Sequence, residues 1–149
     1  RFNKLSKTGL KSTREVYILA TIIEKEAMDT AELSTIAGVY LNRLRIGMPL
    51  QADPTLKYAS GIKFMQRVSG LLDIESPYNT YKNRGLPIGP IGLASKKGVD
   101  AVLNFKQHDY LYFCAKSDFS GTHNFTKSFA EHRINAQKYR AALDAKGVK

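Results

Sequence analysis

The side chains best placed for proton chemistry are Glu24 and Glu26, which close the run Leu19-Ala20-Thr21-Ile22-Ile23-Glu24-Lys25-Glu26. Read as a helix turning about 100° per residue, the run sets Leu19, Ile22 and Ile23 on one apolar stripe. Glu26 falls within that stripe, where a leucine would be expected, whereas Glu24 points well off its axis and Lys25 to one side. A carboxyl on the inward side loses solvation, so its pKa rises and it can hold a proton near neutral pH. A general acid for glycosidic cleavage needs that property. Helical phase is equally compatible with a plainer role, in which Glu26 reaches solvent at the helix end or pairs with Arg43 on the next helix. His123 and His132 invite a metal reading, but their spacing fits no compact ligand motif, so no metal and no cofactor are expected. His123 is expected to contact substrate or to close a hairpin by hydrogen bonds.

The elements that must carry these residues can be read from caps and periodicity. Ser12-Thr13-Arg14-Glu15 has the form of a capping box, with Ser12 accepting a backbone N–H and Glu15 reaching back, and it predicts a helix over 13–28. Asp29-Thr30-Ala31-Glu32 repeats the signature ahead of Leu33, Ile36, Ala37, Tyr40, Leu41 and Leu44, which recur at helical spacing until Gly47. The two helices are expected to form a hairpin. Asp53-Pro54 reads as an N-cap followed by a first-turn proline, opening a short helix to about residue 60. Residues 61–75 have room for a further short helix, and 76–92, rich in proline and glycine, form a long loop. A helix over 95–103, strands over 110–114 and 122–126 joined through Ser120-Gly121, and a last helix capped by Ser128 complete the order. Helices, loop, hairpin and helix in that sequence predict an α+β fold.

At 149 residues and 43% hydrophobic content the chain has the size of one domain, read as 1–149. It starts at Arg1 and its first periodic segment begins near Thr13, which suggests a piece of a longer protein. Residues 1–12 and 146–149 carry much of the basic excess and are expected to be flexible, solvated ends. A net charge of +10 suits a polyanionic partner: nucleic acid, anionic lipid or a carboxylate-bearing wall polymer. Nucleic acid is disfavoured, because no helix-turn-helix, RNA-binding strand motif or zinc finger is present. No apolar run is long enough to span a membrane, and the single Cys114 excludes an internal disulfide.

From Leu19 to Glu26 the sequence resembles the signature helix of the endolytic murein transglycosylases, the YceG-like family, and the resemblance continues in register over about 15–140. It is carried by Leu41-Asn42-Arg43-Leu44, by Met48-Pro49-Leu50-Gln51-Ala52-Asp53-Pro54-Thr55, and by Ser76-Pro77-Tyr78-Asn79-Thr80-Tyr81. Gly85-Leu86-Pro87, Gly89-Pro90-Ile91, Asp109-Tyr110-Leu111-Tyr112-Phe113, His123-Asn124-Phe125 and Glu131-His132 continue it. The resemblance implies an enzyme held by an N-terminal membrane anchor absent from this sequence and acting outside the cytoplasmic membrane. Such an enzyme cuts nascent glycan strands between N-acetylmuramic acid and N-acetylglucosamine and leaves 1,6-anhydro ends. One glutamate serves as acid and then base, and the sugar's own 6-hydroxyl attacks. Glu26 is the expected acid and Glu24 the secondary candidate; Ala27 stands where the family usually has a hydroxyl. Among the matched residues, Gln51, Thr55, Asn79 and Thr80 are expected to bond sugar amides and hydroxyls, and Tyr78 or Tyr81 to stack on a pyranose face. Asp53 is read as a helix cap or a substrate ligand. Peptidoglycan strands, and possible cell-wall synthases, are the implied partners; a non-catalytic glycan-binding module is the alternative.

Overall fold

A computed structural model describes residues 2–27, 29–61 and 69–147 of the chain. Its centre is helix α2 (Thr13–Ile23). Ser12 Oγ accepts the Glu15 N–H at 3.3 Å, and Glu15 Oε1 accepts the Lys11 N–H at 2.7 Å, so the expected capping box closes one residue further out than its simplest form. From Ile18 to Ile23 every residue is buried, so this half of α2 is enclosed all round and not merely along one stripe. Thr21 is admitted because its hydroxyl donates to the Ile18 carbonyl at 2.6 Å and accepts the Ile91 N–H at 3.2 Å.

The helix ends sooner than its sequence pattern predicts. After Ile23 the backbone tightens: the Lys25 N–H donates to Ile22 at 3.1 Å and the Glu26 N–H to Ile23 at 3.0 Å, both three-residue bonds. Glu26 therefore sits on a closing turn; Met28, the last residue of the expected helix, lies outside the described residues.

A 3-10 turn (Thr30–Glu32) capped by Asp29, whose Oδ1 accepts the Ala31 N–H at 2.9 Å, leads into α3 (Leu33–Ile46). Glu32 does not reach back to complete a capping box; it turns to His123. Gly47, with φ 73°, ends α3 in the left-handed conformation. Helix α4 (Asp53–Ser60) starts from Ala52, and Asp53, expected as its cap, is instead its first helical residue and makes no capping bond. The short helix anticipated within 61–75 falls largely outside the described residues; a 3-10 turn covers Ser69–Leu71. Residues 76–92 form a loop without helix or strand.

Helix α5 (Lys96–Leu103) packs against both α2 and α3. Strands β1 (Tyr112–Ala115) and β2 (His123–Thr126) form one antiparallel pair in which Phe113 faces Phe125 and Ala115 faces His123. Helix α6 (Phe129–Ala145), capped by Ser128 Oγ accepting the Glu131 N–H at 3.1 Å, lies against both strands. The architecture is α+β, as the element order predicts. A further helix, α1 (Phe2–Thr8), occupies part of the end expected to be flexible, because Leu5 and Leu10 find apolar surface on the core. No helix among the described residues is long and apolar enough to cross a membrane.

Candidate active site

The turn after α2 delivers Glu26 to a cleft of about 460 Å³ whose other wall is built by β1, β2 and α6. Its carboxyl is buried enough that its pKa rises from 4.5 to about 7. Loss of solvation is the largest cause, and the neighbouring Asp53 charge adds to it. A hydrogen bond from the Tyr40 hydroxyl to Oε2, and the positive charges of Lys57 and Arg43, pull the other way without cancelling it. A carboxyl with a pKa near 7 holds and releases a proton at neutral pH, the property required of an acid that must next act as a base.

Arg43 does not form the salt bridge considered for it. It is buried, its Nε donates to the Leu111 carbonyl at 2.7 Å, and its Nη1 donates to the carbonyls of Pro49 and Leu50 at 3.1 and 2.9 Å. The guanidinium thus ties α3 to the start of the hairpin and to the segment entering α4, which sets the two walls of the cleft relative to each other. Its charge acts on Glu26 through space.

Four of the expected substrate-contacting residues meet at the cleft with Glu26: Gln51, Asp53, Tyr81 and His123. Gln51 has φ 51°, a left-handed backbone uncommon for a residue with a side chain, and its N–H is anchored on the Thr80 carbonyl at 3.2 Å. Freed from capping, Asp53 accepts the Tyr81 hydroxyl at 2.5 Å. Burial raises the Asp53 pKa, while this bond and Lys57 oppose the rise. His123 is held by Glu32, with its Nδ1 2.8 Å from Oε1 and its backbone N–H donated to Oε2 at 3.0 Å. His123 thus lines the cleft and fastens the hairpin to the turn before α3.

The other expected contacts turn inward. Thr55, Asn79 and Thr80 are at most 1% exposed and are hydrogen-bonded within the protein. Thr55 Oγ1 donates to the Ala52 carbonyl at 2.7 Å and meets Thr80 Oγ1 at 2.9 Å, which itself accepts the Ala52 N–H at 2.9 Å. Asn79 donates to the Leu72 and Ile74 carbonyls and accepts the Tyr81 N–H at 2.8 Å. These three residues shape the loop and the entry to α4 and present no group to the cleft. Tyr78 packs on Tyr58, with ring centroids 4.8 Å apart, and is not on the cleft wall. Within 76–92, it is Tyr81 that the loop brings to the cleft.

Glu24, the competing carboxylate, is engaged elsewhere. It accepts the Ser95 N–H at 3.0 Å, the Ser95 hydroxyl and the Gly98 N–H at 3.1 Å, thereby capping α5. A Cβ at Gly98 would lie 2.4 Å from Glu24 Oε1, so glycine is what admits the carboxylate.

Sequence reasoning placed Tyr40 in the apolar repeat of α3 and missed its hydroxyl, because periodicity reports which side of a helix is buried and not what a polar tip meets there. It also missed the far wall, where Cys114, Ala115, His132, Ala136, Tyr139 and Arg140 line the cleft. The spacing of 132, 136, 139 and 140 along one face of a helix was the available signal. His132 stacks on Tyr112 at 5.1 Å, and burial together with Arg43 and Arg140 lowers its pKa. Burial pushes the Cys114 thiol up, which disfavours the thiolate needed for nucleophilic chemistry. Among the described residues no cluster of histidine, cysteine and carboxylate side chains is placed to hold a metal ion.

Comparison with known proteins gives the arrangement its relatives. A family model described as the YceG-like family matches residues 1–138. A Bacillus subtilis (strain 168) protein named endolytic murein transglycosylase is 45% identical over 136 residues, covering 91% of this chain and 37% of that protein. A Streptococcus pneumoniae protein of the same name (strain D39) is 38% identical over 109 residues, covering 70% of this chain and 20% of its own length. A 2.6 Å crystal structure of a YceG-like protein from Listeria monocytogenes superposes with a TM-score of 0.80 at 39% identity, covering 89% of this chain and 43% of that one. The chain thus spans less than half the length of each of these relatives. Matched by the family model along most of its length, the chain belongs to the YceG-like family.

Proposed function

We propose that this chain is the catalytic domain of an endolytic peptidoglycan transglycosylase and that Glu26 is its acid and base. The observation that carries the reading is a carboxyl with a pKa of about 7 on the wall of an open cleft, in a family whose named relatives are endolytic murein transglycosylases. In the first half of the reaction protonated Glu26 gives its proton to the glycosidic oxygen between N-acetylmuramic acid and N-acetylglucosamine, and the bond from the muramic C1 to that oxygen breaks. In the second half the Glu26 carboxylate takes the proton of the same muramic residue's 6-hydroxyl, whose oxygen bonds to C1. The product is a 1,6-anhydro end, and Glu26 returns to its protonated form. The acceptor is internal to the sugar, so the second carboxylate of ordinary glycosidases is not required as a nucleophile. Asp53, Tyr81 and Gln51 serve on this reading to hold the sugars.

The site of action is the polymer outside the cytoplasmic membrane, with attachment to the membrane and contact with wall synthases belonging to the same proposal. Digestion of purified peptidoglycan followed by mass analysis of the muropeptides tests it. Anhydro-ended fragments are expected. Reducing ends alone would replace the intramolecular attack by hydrolysis, and strand binding without any cleavage would leave a glycan-binding module.

A further inference from the structure

The Tyr40 hydroxyl occupies one oxygen of the carboxyl assigned to catalysis, and the chemistry of that contact goes beyond a packing role. Tyr40 is 2% exposed, and its ring meets Phe113 edge-on at 5.7 Å. The hydroxyl at its tip donates to Glu26 Oε2, while no donor or acceptor among the described residues is bonded to Oε1. A buried tyrosine with no second acceptor donates to whichever oxygen it faces, and the proton of a neutral carboxyl then resides on the other. We propose that Tyr40 is a positioning residue that keeps the transferable proton of Glu26 on Oε1, the oxygen left free for substrate.

The same contact supports both states of the acid. While Glu26 is protonated, the Tyr40 bond orients it. Once the proton is given up, the bond stabilises the carboxylate, which keeps it from being too strong a base in its desolvated setting. Tyr40 itself remains a donor throughout, because burial and the Glu26 charge raise its pKa well above the ordinary tyrosine value. The charged and titratable groups around Glu26 are Arg43 on the same helix as Tyr40, Asp53 and Lys57 on α4, Tyr81 on the loop and, across the cleft, Cys114 and His123 on the strands and His132, Tyr139 and Arg140 on α6. None of these is bonded to the Glu26 carboxyl, so the orientation of the proton depends on Tyr40.

This inference rests on Glu26 being the acid, and the experiment separates the two claims. Tyr40→Phe keeps the ring and its packing. In this variant the alkaline limb of the kcat/KM profile on peptidoglycan should move to higher pH by about one pH unit, and kcat below the limb should fall about tenfold, with KM little changed. A wild-type protein that does not cleave refutes the reading of Glu26, whereas an active, folded Tyr40→Phe with an unmoved limb refutes only the role of Tyr40. If that variant does not fold, the wild-type protein labelled with 13C at the tyrosine Cζ decides. The Tyr40 signal should follow the titration of Glu26 with the same midpoint and lose that response in Glu26→Gln; a Tyr40 signal indifferent to it overturns the proposal.

Discussion

The two walls of the cleft are built to different standards. Helix α2 buries seven of its eleven residues, whereas α6 buries only Leu143 of its seventeen and leaves Phe129 and Ile134 more than half exposed. On the first wall a proton-holding carboxyl is fixed by a saturated core and by a turn whose backbone bonds leave it little freedom. On the second, a helix resting on a two-stranded ribbon offers His132, Ala136 and Tyr139 to the cleft. Desolvation can be held constant only where the surroundings cannot relax, so the proposed proton chemistry is suited to the tight wall. The lightly packed wall suits the accommodation of a large polymer.

The sharpest way to break this contrast is to cut the same amount of side chain from the helix behind each wall. Ile22→Ala, at a fully buried position, should cost about 3–4 kcal/mol and broaden or abolish the unfolding transition in denaturant. Ile134→Ala on α6, where the side chain is 54% exposed, should stay within about 0.5 kcal/mol of the parent. Similar losses at both positions would mean that α6 is buried against something in solution.

A smaller effect concerns proton linkage. Glu26 binds its proton more tightly in the folded state, with a pKa of about 7, than in the unfolded chain at 4.5. Its contribution is therefore fully present below pH 4.5 and is lost as pH rises through 7. Glu26→Gln removes this dependence, so at pH 8 the variant should be more stable than the parent by on the order of 2 kcal/mol, a figure reduced from the full linkage value because the cleft is open to water. Urea unfolding of both proteins at pH 4 and pH 8 checks it; a variant less stable than the parent at pH 8 would show that the fold stabilises the Glu26 carboxylate and does not disfavour it by desolvation.

Smaller still is the cap on α5. Gly98→Ala should displace Glu24 from the Ser95 and Gly98 N–H groups and cost about 1–2 kcal/mol while glycan cleavage persists. Thermal unfolding beside a muropeptide assay reads both, and loss of cleavage in a variant that stays folded would draw Glu24 into the chemistry.

Much of this was legible in the sequence, for reasons that differ by element. Ser12, Asp29 and Ser128 announced helix starts because a short polar side chain before an apolar repeat satisfies backbone N–H groups locally. The inward turn of Glu26 was legible from helical phase although α2 stops at Ile23, since the tightened turn that follows still leaves its carboxyl desolvated at the cleft. What the sequence could not show was the long-range spending of polar groups: Glu32 on His123, ninety-one residues away, Glu24 on the N-terminus of α5, and Asn79 and Thr80 on the backbone around them. A buried amide that holds a loop together and an exposed one that holds a sugar have the same one-letter code. Only the packing distinguishes them.

On the proposed function the two neighbouring glutamates do different work, Glu26 handling the proton and Glu24 holding α5. The direct measurement is the release of anhydro-ended muropeptides by Glu26→Gln and by Glu24→Gln, with thermal unfolding of each variant alongside. Cleavage should fall by at least about a thousandfold in Glu26→Gln with the fold intact, since an amide can neither supply nor accept the proton. Glu24→Gln should keep most of its activity and lose about 1 kcal/mol of stability, because its amide caps a helix less well than a carboxylate. An active Glu26→Gln, or a folded but inactive Glu24→Gln, would contradict this assignment.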